Sequence, residues 1–201
     1  MRASMKFMNY VIVGLGNPGN EYEHTRHNAG REAVEYFAKK NDASEWKEDA
    51  KSEATVAKVG KTVLVLPDTF MNKSGSAVVK HVKSVKAAEN LVVVYDDLDL
   101  PLGKVKISFN RGSGGHKGIE SITRAVKTQK FVRIRIGVSP ATSSGKLKKP
   151  DREEKVIDFI LGKFKPAEQD ALKKVYKVVA GAIREIIEEG RLVAMNHYNS
   201  V

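Results

Sequence analysis

Five consecutive apolar residues, Leu91–Tyr95, constrain the fold of this chain more than any other segment. A strand-length run without a polar interruption is typical of a strand buried on both faces, in the middle of a sheet. The run ends in Asp96-Asp97-Leu98-Asp99, and we expect the strand to stop there. The segment therefore predicts a central strand with acidic side chains at its carboxyl end.

Segments of strand and helix character alternate along the rest of the chain. The predicted strands are Phe7–Val13, Ala54–Val59, Thr62–Leu66, Lys104–Phe109 and Phe131–Val138. The predicted helices are Asn28–Lys40, Ser76–Lys86, a short one from about Ile119, and a long one from about Pro166 to Glu189, ending at Gly190. This order favours an α/β fold, a single domain over residues 1–201 with a mixed central sheet flanked by helices. A Ser/Gly/Lys/Pro-rich loop, Ser139–Asp151, is predicted to be mobile.

The composition excludes several classes of protein. A chain of 201 residues suits one domain with its own core. The absence of cysteine excludes a disulfide scaffold, a thiolate zinc site and a cysteine nucleophile. No apolar run approaches the roughly 20 residues of a membrane helix, and the N-terminus lacks the apolar region of a signal peptide, so we expect a cytoplasmic protein without membrane contact. Met5 is a candidate for the natural start.

Positive charge is concentrated in one part of the chain. Residues 101–155 contain 14 Lys and Arg and four acidic residues, which is +10 of the total formal charge of +11. Clustered cations favour a polyanionic partner, because neutralising phosphates releases their counterions. The alternative is a solvated surface that only aids solubility.

A glycine pattern after the first strand resembles a dinucleotide-binding fingerprint. Gly14, Gly16 and Gly19 have the G-x-G-x-x-G spacing. That motif needs its third glycine in the first turn of a helix, but Asn17-Pro18-Gly19 favours a turn and the helical pattern begins only near Asn28. The sequence therefore argues against a nicotinamide or flavin site.

Histidines and acids supply candidates for chemistry. His24 and His27 lie three residues apart beside this turn, where they suit a metal pair, proton transfer or a structural role. Asp96, Asp97 and Asp99 follow the central strand, where they can hold Mg²⁺, orient a histidine or form a solvated turn.

Two loops add further candidates. An asparagine in Phe70–Gly75 can hold a carbonyl group or cap a helix. The glycine-rich loop Gly112–Gly118 contains His116 and can present backbone N–H groups to an anion.

Taken in order, these motifs resemble the bacterial-type peptidyl-tRNA hydrolase family. The matching stretches are Val13–Gly19, Glu21-Tyr22, Thr25–Gly30, Pro67–Gly75, Tyr95–Gly103, Gly112–Gly118, Phe131–Gly137 and Val156–Lys163. The resemblance implies hydrolysis of the ester between a peptide and the 3′ ribose of tRNA, by a monomer without cofactor or metal ion.

The resemblance also implies a role for each matching residue. His27 is expected to be the general base for water, Asp96 to orient its imidazole, and Asn17 to contact the substrate. The expected substrate-binding residues are Tyr22, Phe70, Met71, Asn72, His116 and Lys117. The residues expected to contact the acceptor stem and 3′ end of tRNA are Asn28, Lys106 and Arg135, of which the last two match the clamp for the 5′-phosphate.

Two positions depart from the family pattern. Lys117 stands where members usually have asparagine, and a lysine donates hydrogen bonds but cannot accept them. Ser108 occupies the position of a second basic residue on the clamp strand, with Lys104 and Arg111 nearby as replacements. These departures keep one alternative open, a non-catalytic RNA-binding relative of the same fold.

Overall fold

One mixed sheet of seven strands forms the centre of the molecule. The computed structural model describes residues 9–150 and 152–200, so the candidate start Met5 and the first residues of the predicted strand Phe7–Val13 lie outside the described part. The strands are β1 (Val11–Gly14), β2 (Lys47–Asp49), β3 (Ala54–Val59), β4 (Thr62–Pro67), β5 (Leu91–Pro101), β6 (Val105–Phe109) and β7 (Val132–Ser139). Their order is β2-β3-β4-β1-β5-β7-β6.

The four middle strands β4, β1, β5 and β7 are parallel, and the sheet becomes antiparallel towards both edges. β5 lies between β1 and β7, and every residue of Leu91–Tyr95 is buried, which confirms the predicted central strand. The expectation that this strand stops at Asp96 is wrong. Asp96 and Asp97 still pair with β7, and β5 continues past a bulge to Pro101.

Helices cover both faces of the sheet, as the α/β prediction requires. The helices are α1 (Ala29–Lys40), α2 (Ser74–Val78), α3 (Lys117–Val126), α4 (Glu153–Leu161), α5 (Pro166–Glu189) and α6 (Arg191–Tyr198). Neighbouring residues of β1 separate the two layers: Ile12 packs in the core under α1 and α5, whereas Val13 packs in the core under α2 and α3.

Several element boundaries differ from the sequence prediction. The long helix α5 is confirmed and ends at Gly190, whose φ of +91° breaks it. The helix predicted over Ser76–Lys86 is instead the five-residue α2, which begins at Ser74. β2, α4 and α6 were not predicted. Of the predicted loop Ser139–Asp151, Ser139 is the last residue of β7 and Asp151 lies outside the described residues. Residues 140–150 contain an isolated bridge between Ala141 and Leu147 and no helix or strand, and the mobility of this loop stays a prediction.

β7 also differs from its sequence pattern. Alternation of polar and apolar residues predicts a half-buried strand, yet all eight residues of β7 are buried. Its two arginines, Arg133 and Arg135, are therefore enclosed side chains. Among the described residues, no helix is both long enough and apolar enough to span a membrane.

Candidate active site

Polar side chains converge where parallel strands end beside the first turn of α1. Asn17 follows β1, Asn72 follows β4, and Asp96 lies on β5 directly after its apolar run. His27 lies in a 3-10 turn, Arg26–Asn28, that leads into α1. Residues at the carboxyl ends of parallel strands are the usual positions for a site in an open α/β sheet.

A glycine allows α1 to start directly against the sheet. A Cβ atom on Gly30 would lie 2.2 Å from the backbone oxygen of Val94 on β5. Only glycine permits so close an approach of two backbones. The approach brings the turn that carries His27 to the strand that carries Asp96.

The carboxylate of Asp96 accepts hydrogen bonds from two imidazoles. Nδ1 of His27 lies 2.9 Å from Oδ1 and 3.1 Å from Oδ2 of Asp96. Nε2 of His116 lies 3.0 Å from the same Oδ1. Asp96 is 3% exposed, so its charge acts in a medium of low dielectric constant.

The hydrogen-bond partners assign the protons of both rings. Nδ1 of His116 accepts the N–H of Ile119 at the start of α3, so its proton lies on Nε2 and is donated to Asp96. The ionised carboxylate of Asp96 accepts only, so His27 donates from Nδ1. Nε2 of His27 therefore carries the lone pair.

The pKa values of this cluster are coupled. Burial alone would lower the pKa of His27, but the charge of Asp96 and the hydrogen bond to it raise that pKa above its usual value of 6.5. Burial would raise the pKa of Asp96, but the two histidines hold it well below its usual range. The result is a carboxylate that stays ionised beside an imidazole of increased basicity.

Asn17 is fixed by three hydrogen bonds. The side chain of Asn28 accepts the N–H of Asn17 (2.9 Å) and donates to its carbonyl oxygen (3.0 Å). Oδ1 of Asn17 accepts the N–H of Met71 (2.8 Å). Asn28 is 3% exposed, so its carboxamide serves the backbone of Asn17; the contact with tRNA expected for it stays a prediction.

The expected substrate-binding residues differ in exposure. Phe70 is 57% exposed and lies edge-on to the ring of Tyr22, with 6.4 Å between centroids. Asn72 and Lys117 are exposed. Met71 is buried, so it contributes its backbone to the site and its side chain to the core.

The other histidine and the other acids of the sequence motifs lie apart from this cluster. Nδ1 of His24 lies 3.4 Å from Oε1 of Glu32, whereas Nδ1 of His27 is bound to Asp96. The two histidines therefore have different acidic partners and do not form a metal-binding pair. Asp97 binds Arg135 and Asp99 binds Lys149. The three aspartates therefore contact different side chains, which argues against a shared Mg²⁺ site, and Asp96 is the one that contacts histidines. Its role in orienting His27 stays a prediction.

One group of side chains has the donor set of a metal site. It consists of His27, Asp96 and His116, whose potential ligand atoms lie within 4.8 Å of one another. Within the described part of the chain, no other group of three or more His, Cys, Asp or Glu side chains is arranged in this way. Both imidazoles already use the carboxylate as their hydrogen-bond acceptor, so a metal ion would have to displace these protons.

The cations expected to bind tRNA lie on β6 and β7. Lys106 is exposed and is the direct cross-strand partner of Arg135. Arg135 is 6% exposed, and its Nε donates to Asp97 (2.6 Å). Ser108 lies opposite Arg133, which is fully buried and donates to the carbonyl of Gly112 (2.7 Å).

Comparison with known proteins identifies the family. The family model described as peptidyl-tRNA hydrolase matches residues 11–201. The chain belongs to the peptidyl-tRNA hydrolase family. It is 38% identical over 192 residues to the peptidyl-tRNA hydrolase of Aquifex aeolicus (strain VF5), covering 94% of this chain and 95% of the relative. It is 36% identical over 195 residues to that of Clostridium acetobutylicum, covering 96% and 98%.

Solved structures agree with this membership. The crystal structure of peptidyl-tRNA hydrolase from Acinetobacter baumannii superposes with a TM-score of 0.83 at 32% identity, covering 96% of this chain and 95% of that one. The Arg119Gln mutant of the same hydrolase also superposes with a TM-score of 0.83. The predicted fold and the predicted family are therefore confirmed.

Two residues of this peptidyl-tRNA hydrolase fold were missed by sequence reasoning. Arg26, beside His27, is buried and contacts residues about 140 positions away, Gly162 and Glu168. Arg133 supports the glycine-rich loop through Gly112. The only local signal was an arginine inside each motif, since the partners become neighbours only after folding.

Proposed function

We propose that this protein hydrolyses the ester between an N-blocked peptide and the 3′ ribose of tRNA, with His27 as the general base. The observation that carries this proposal is the hydrogen bond from Nδ1 of His27 to Asp96, which leaves Nε2 as a proton acceptor. Family membership supports the substrate class, since the relatives are named peptidyl-tRNA hydrolases.

The reaction needs a water molecule and one proton carrier. Nε2 of His27 takes a proton as the water oxygen attacks the ester carbonyl carbon, and Asp96 stabilises the imidazolium that forms. The tetrahedral intermediate then expels the ribose oxygen, which receives the proton from His27. The products are the free peptide acid and tRNA with an intact terminal hydroxyl group.

The remaining expected residues divide between the two parts of the substrate. Asn17, with its Oδ1 held by Met71, presents its amide group to the peptidyl moiety. The residues that we expect at the ester and the peptide are Tyr22, Phe70, Asn72, His116 and Lys117, of which Lys117 supplies a donor for the developing oxyanion. Lys106 and Arg135 receive the 5′-phosphate end of the acceptor stem. We expect the protein to act as a monomer in the cytoplasm, where translation produces its substrate.

The direct test is release of an N-acetyl-aminoacyl group from tRNA by the purified protein. We expect release of the blocked substrate and little release from unblocked aminoacyl-tRNA. Tight tRNA binding without release would instead identify the non-catalytic RNA-binding relative, for which the Lys117 departure is the specific argument.

A further inference from the structure

A buried arginine joins the turn that carries His27 to the junction between α4 and α5. Arg26 is 5% exposed. Its Nη1 donates to the carbonyl oxygens of Gly162 (3.2 Å) and Lys163 (2.9 Å), and its Nη2 donates to Oε2 of Glu168 (2.8 Å). Three acceptors from one junction thus converge on the residue that precedes His27.

Aromatic rings and backbone bonds complete this junction. The guanidinium of Arg26 lies 4.5 Å from the ring centroid of Phe159 on α4 and 5.1 Å from that of Phe164. The N–H of Arg26 donates to Gly162, and the N–H of Phe164 donates to His24 (3.1 Å each). The two segments therefore form one unit, and α4 cannot shift without moving the backbone next to His27.

The choice of arginine is chemically specific. Its planar fork reaches three acceptors and stacks on two rings at once, which a lysine cannot do. Its Nε has no hydrogen-bond partner within residues 9–150 and 152–200. Burying a charged group with an unsatisfied nitrogen is costly, and apolar side chains would pack the same space at lower cost. What this buried cation supplies is a fixed link between the turn that carries His27 and the α4–α5 junction.

We infer that Arg26 is a positioning residue, which holds the turn carrying His27 in register with α4. This inference rests on the proposed function. Arg26 is too buried to touch the substrate, so it acts on the rate of the chemical step through His27. A displacement of the imidazole by about 1 Å is enough to cost up to about 100-fold in rate.

The test measures kcat and KM on N-acetyl-aminoacyl-tRNA for Arg26→Gln, Arg26→Lys and Glu168→Gln. The matched control is Arg191→Gln, because Arg191 also stacks on a phenylalanine, Phe109 (4.0 Å), and pairs with a glutamate, Glu89 (3.6 Å), at a distant position on α6. All assays are run below the melting transition of each variant. The Nδ1 proton signal of His27 is followed by NMR.

We expect Arg26→Gln and Arg26→Lys to lower kcat by at least about tenfold, with KM within about twofold of the wild type. Glu168→Gln lowers kcat less, because the backbone acceptors remain. Both Arg26 variants weaken or lose the Nδ1 proton signal of His27. Arg191→Gln changes neither quantity.

Unchanged kcat in a folded Arg26 variant, or a change confined to KM, overturns the inference. If Arg26→Gln does not fold, the other two variants are used. A kcat equal to that of the wild type in folded Arg26→Lys or in folded Glu168→Gln then overturns the inference. If the wild type has no hydrolase activity, the proposed function fails. The Nδ1 signal still decides the inference in that case, because an unchanged signal in Arg26→Gln or Arg26→Lys overturns it.

Discussion

Asp96 holds one negative charge between two imidazoles, and this arrangement governs the basicity of the site. The charge of Asp96 raises the pKa of His27 above 6.5 against the effect of burial. In the proposed mechanism, the raised pKa means that His27 stays protonated, and so unable to act as a base, up to a higher pH than an ordinary histidine. Activity should therefore rise with pH through a midpoint above 6.5.

Asp96→Asn should shift this pH dependence and slow the reaction. Without the carboxylate, burial is the remaining influence on the pKa of His27, so that pKa falls. Because His27 then loses its proton at a lower pH, the acid limb of kcat/KM moves to lower pH. The rate at neutral pH falls by roughly 10²–10⁴-fold, because the amide no longer fixes the tautomer. A pH–rate profile of both proteins checks the prediction, and an acid limb that stays in place would refute it.

The site could be predicted only in part from the sequence. Composition and spacing left His27 ambiguous between metal binding, proton transfer and a structural role, because its partner Asp96 lies 69 positions away. Its role came from the resemblance. The support of Asn17 by Asn28 could not be foreseen, since both hydrogen bonds depend on the shape of a turn.

At the level of secondary structure, the approach of α1 to β5 holds the site together. The contact between Gly30 and Val94 is backbone against backbone, so neither partner can move aside. The first turn of α1 directly follows the turn that carries His27. A wider spacing between helix and strand would separate His27 from Asp96.

Gly30→Ala should destabilise the protein and lower its activity together. Forcing a methyl group into a packed contact costs about 1–3 kcal/mol, which at this chain length is a melting temperature lower by several degrees. Gly112→Ala is the matched control, because a Cβ atom there meets nothing within 4 Å. Thermal unfolding of both variants measures the effect, and equal melting temperatures would show that the close contact is not needed.

Elements with a strong apolar period could be predicted, and those that depend on distant partners could not. α5 and the β3–β4 hairpin agree closely with their patterns. The extension of β5 through Asp96 and Asp97 was missed because acidic residues usually end a buried strand. Here histidines and Arg135 pair with those acids, so the strand continues.

For the molecule as a whole, some of the charged side chains in residues 101–155 are exposed on the surface and others are buried in the interior. Arg133 and Arg135 are buried and bind Gly112 and Asp97. Their guanidinium groups thus hold loop and strand in place as well as carrying charge. The exposed Lys106 beside Arg135 is the clearer candidate for contact with phosphate.

Lys106→Gln should weaken tRNA binding and reduce its salt dependence. Loss of one phosphate contact lowers the slope of log Kd against log salt by about 0.7–0.9. Lys61→Gln is the control, because Lys61 is exposed in the β3–β4 turn, outside the basic segment. Binding titrations at several salt concentrations measure the slope, and the same slope in both variants would exclude Lys106 from the interface.

The role of His27 as general base is tested by single-turnover cleavage of N-acetyl-aminoacyl-tRNA by the wild type and by His27→Ala, with tRNA affinity measured in parallel. His197→Ala is the matched control, since His197 is an exposed histidine paired with Glu185. We expect His27→Ala to lose roughly 10²–10⁴-fold in rate and to keep its affinity for tRNA within about twofold, because general-base catalysis contributes that much to the rate and nothing to binding. A His27→Ala protein that cleaves at a rate near that of the wild type would contradict it.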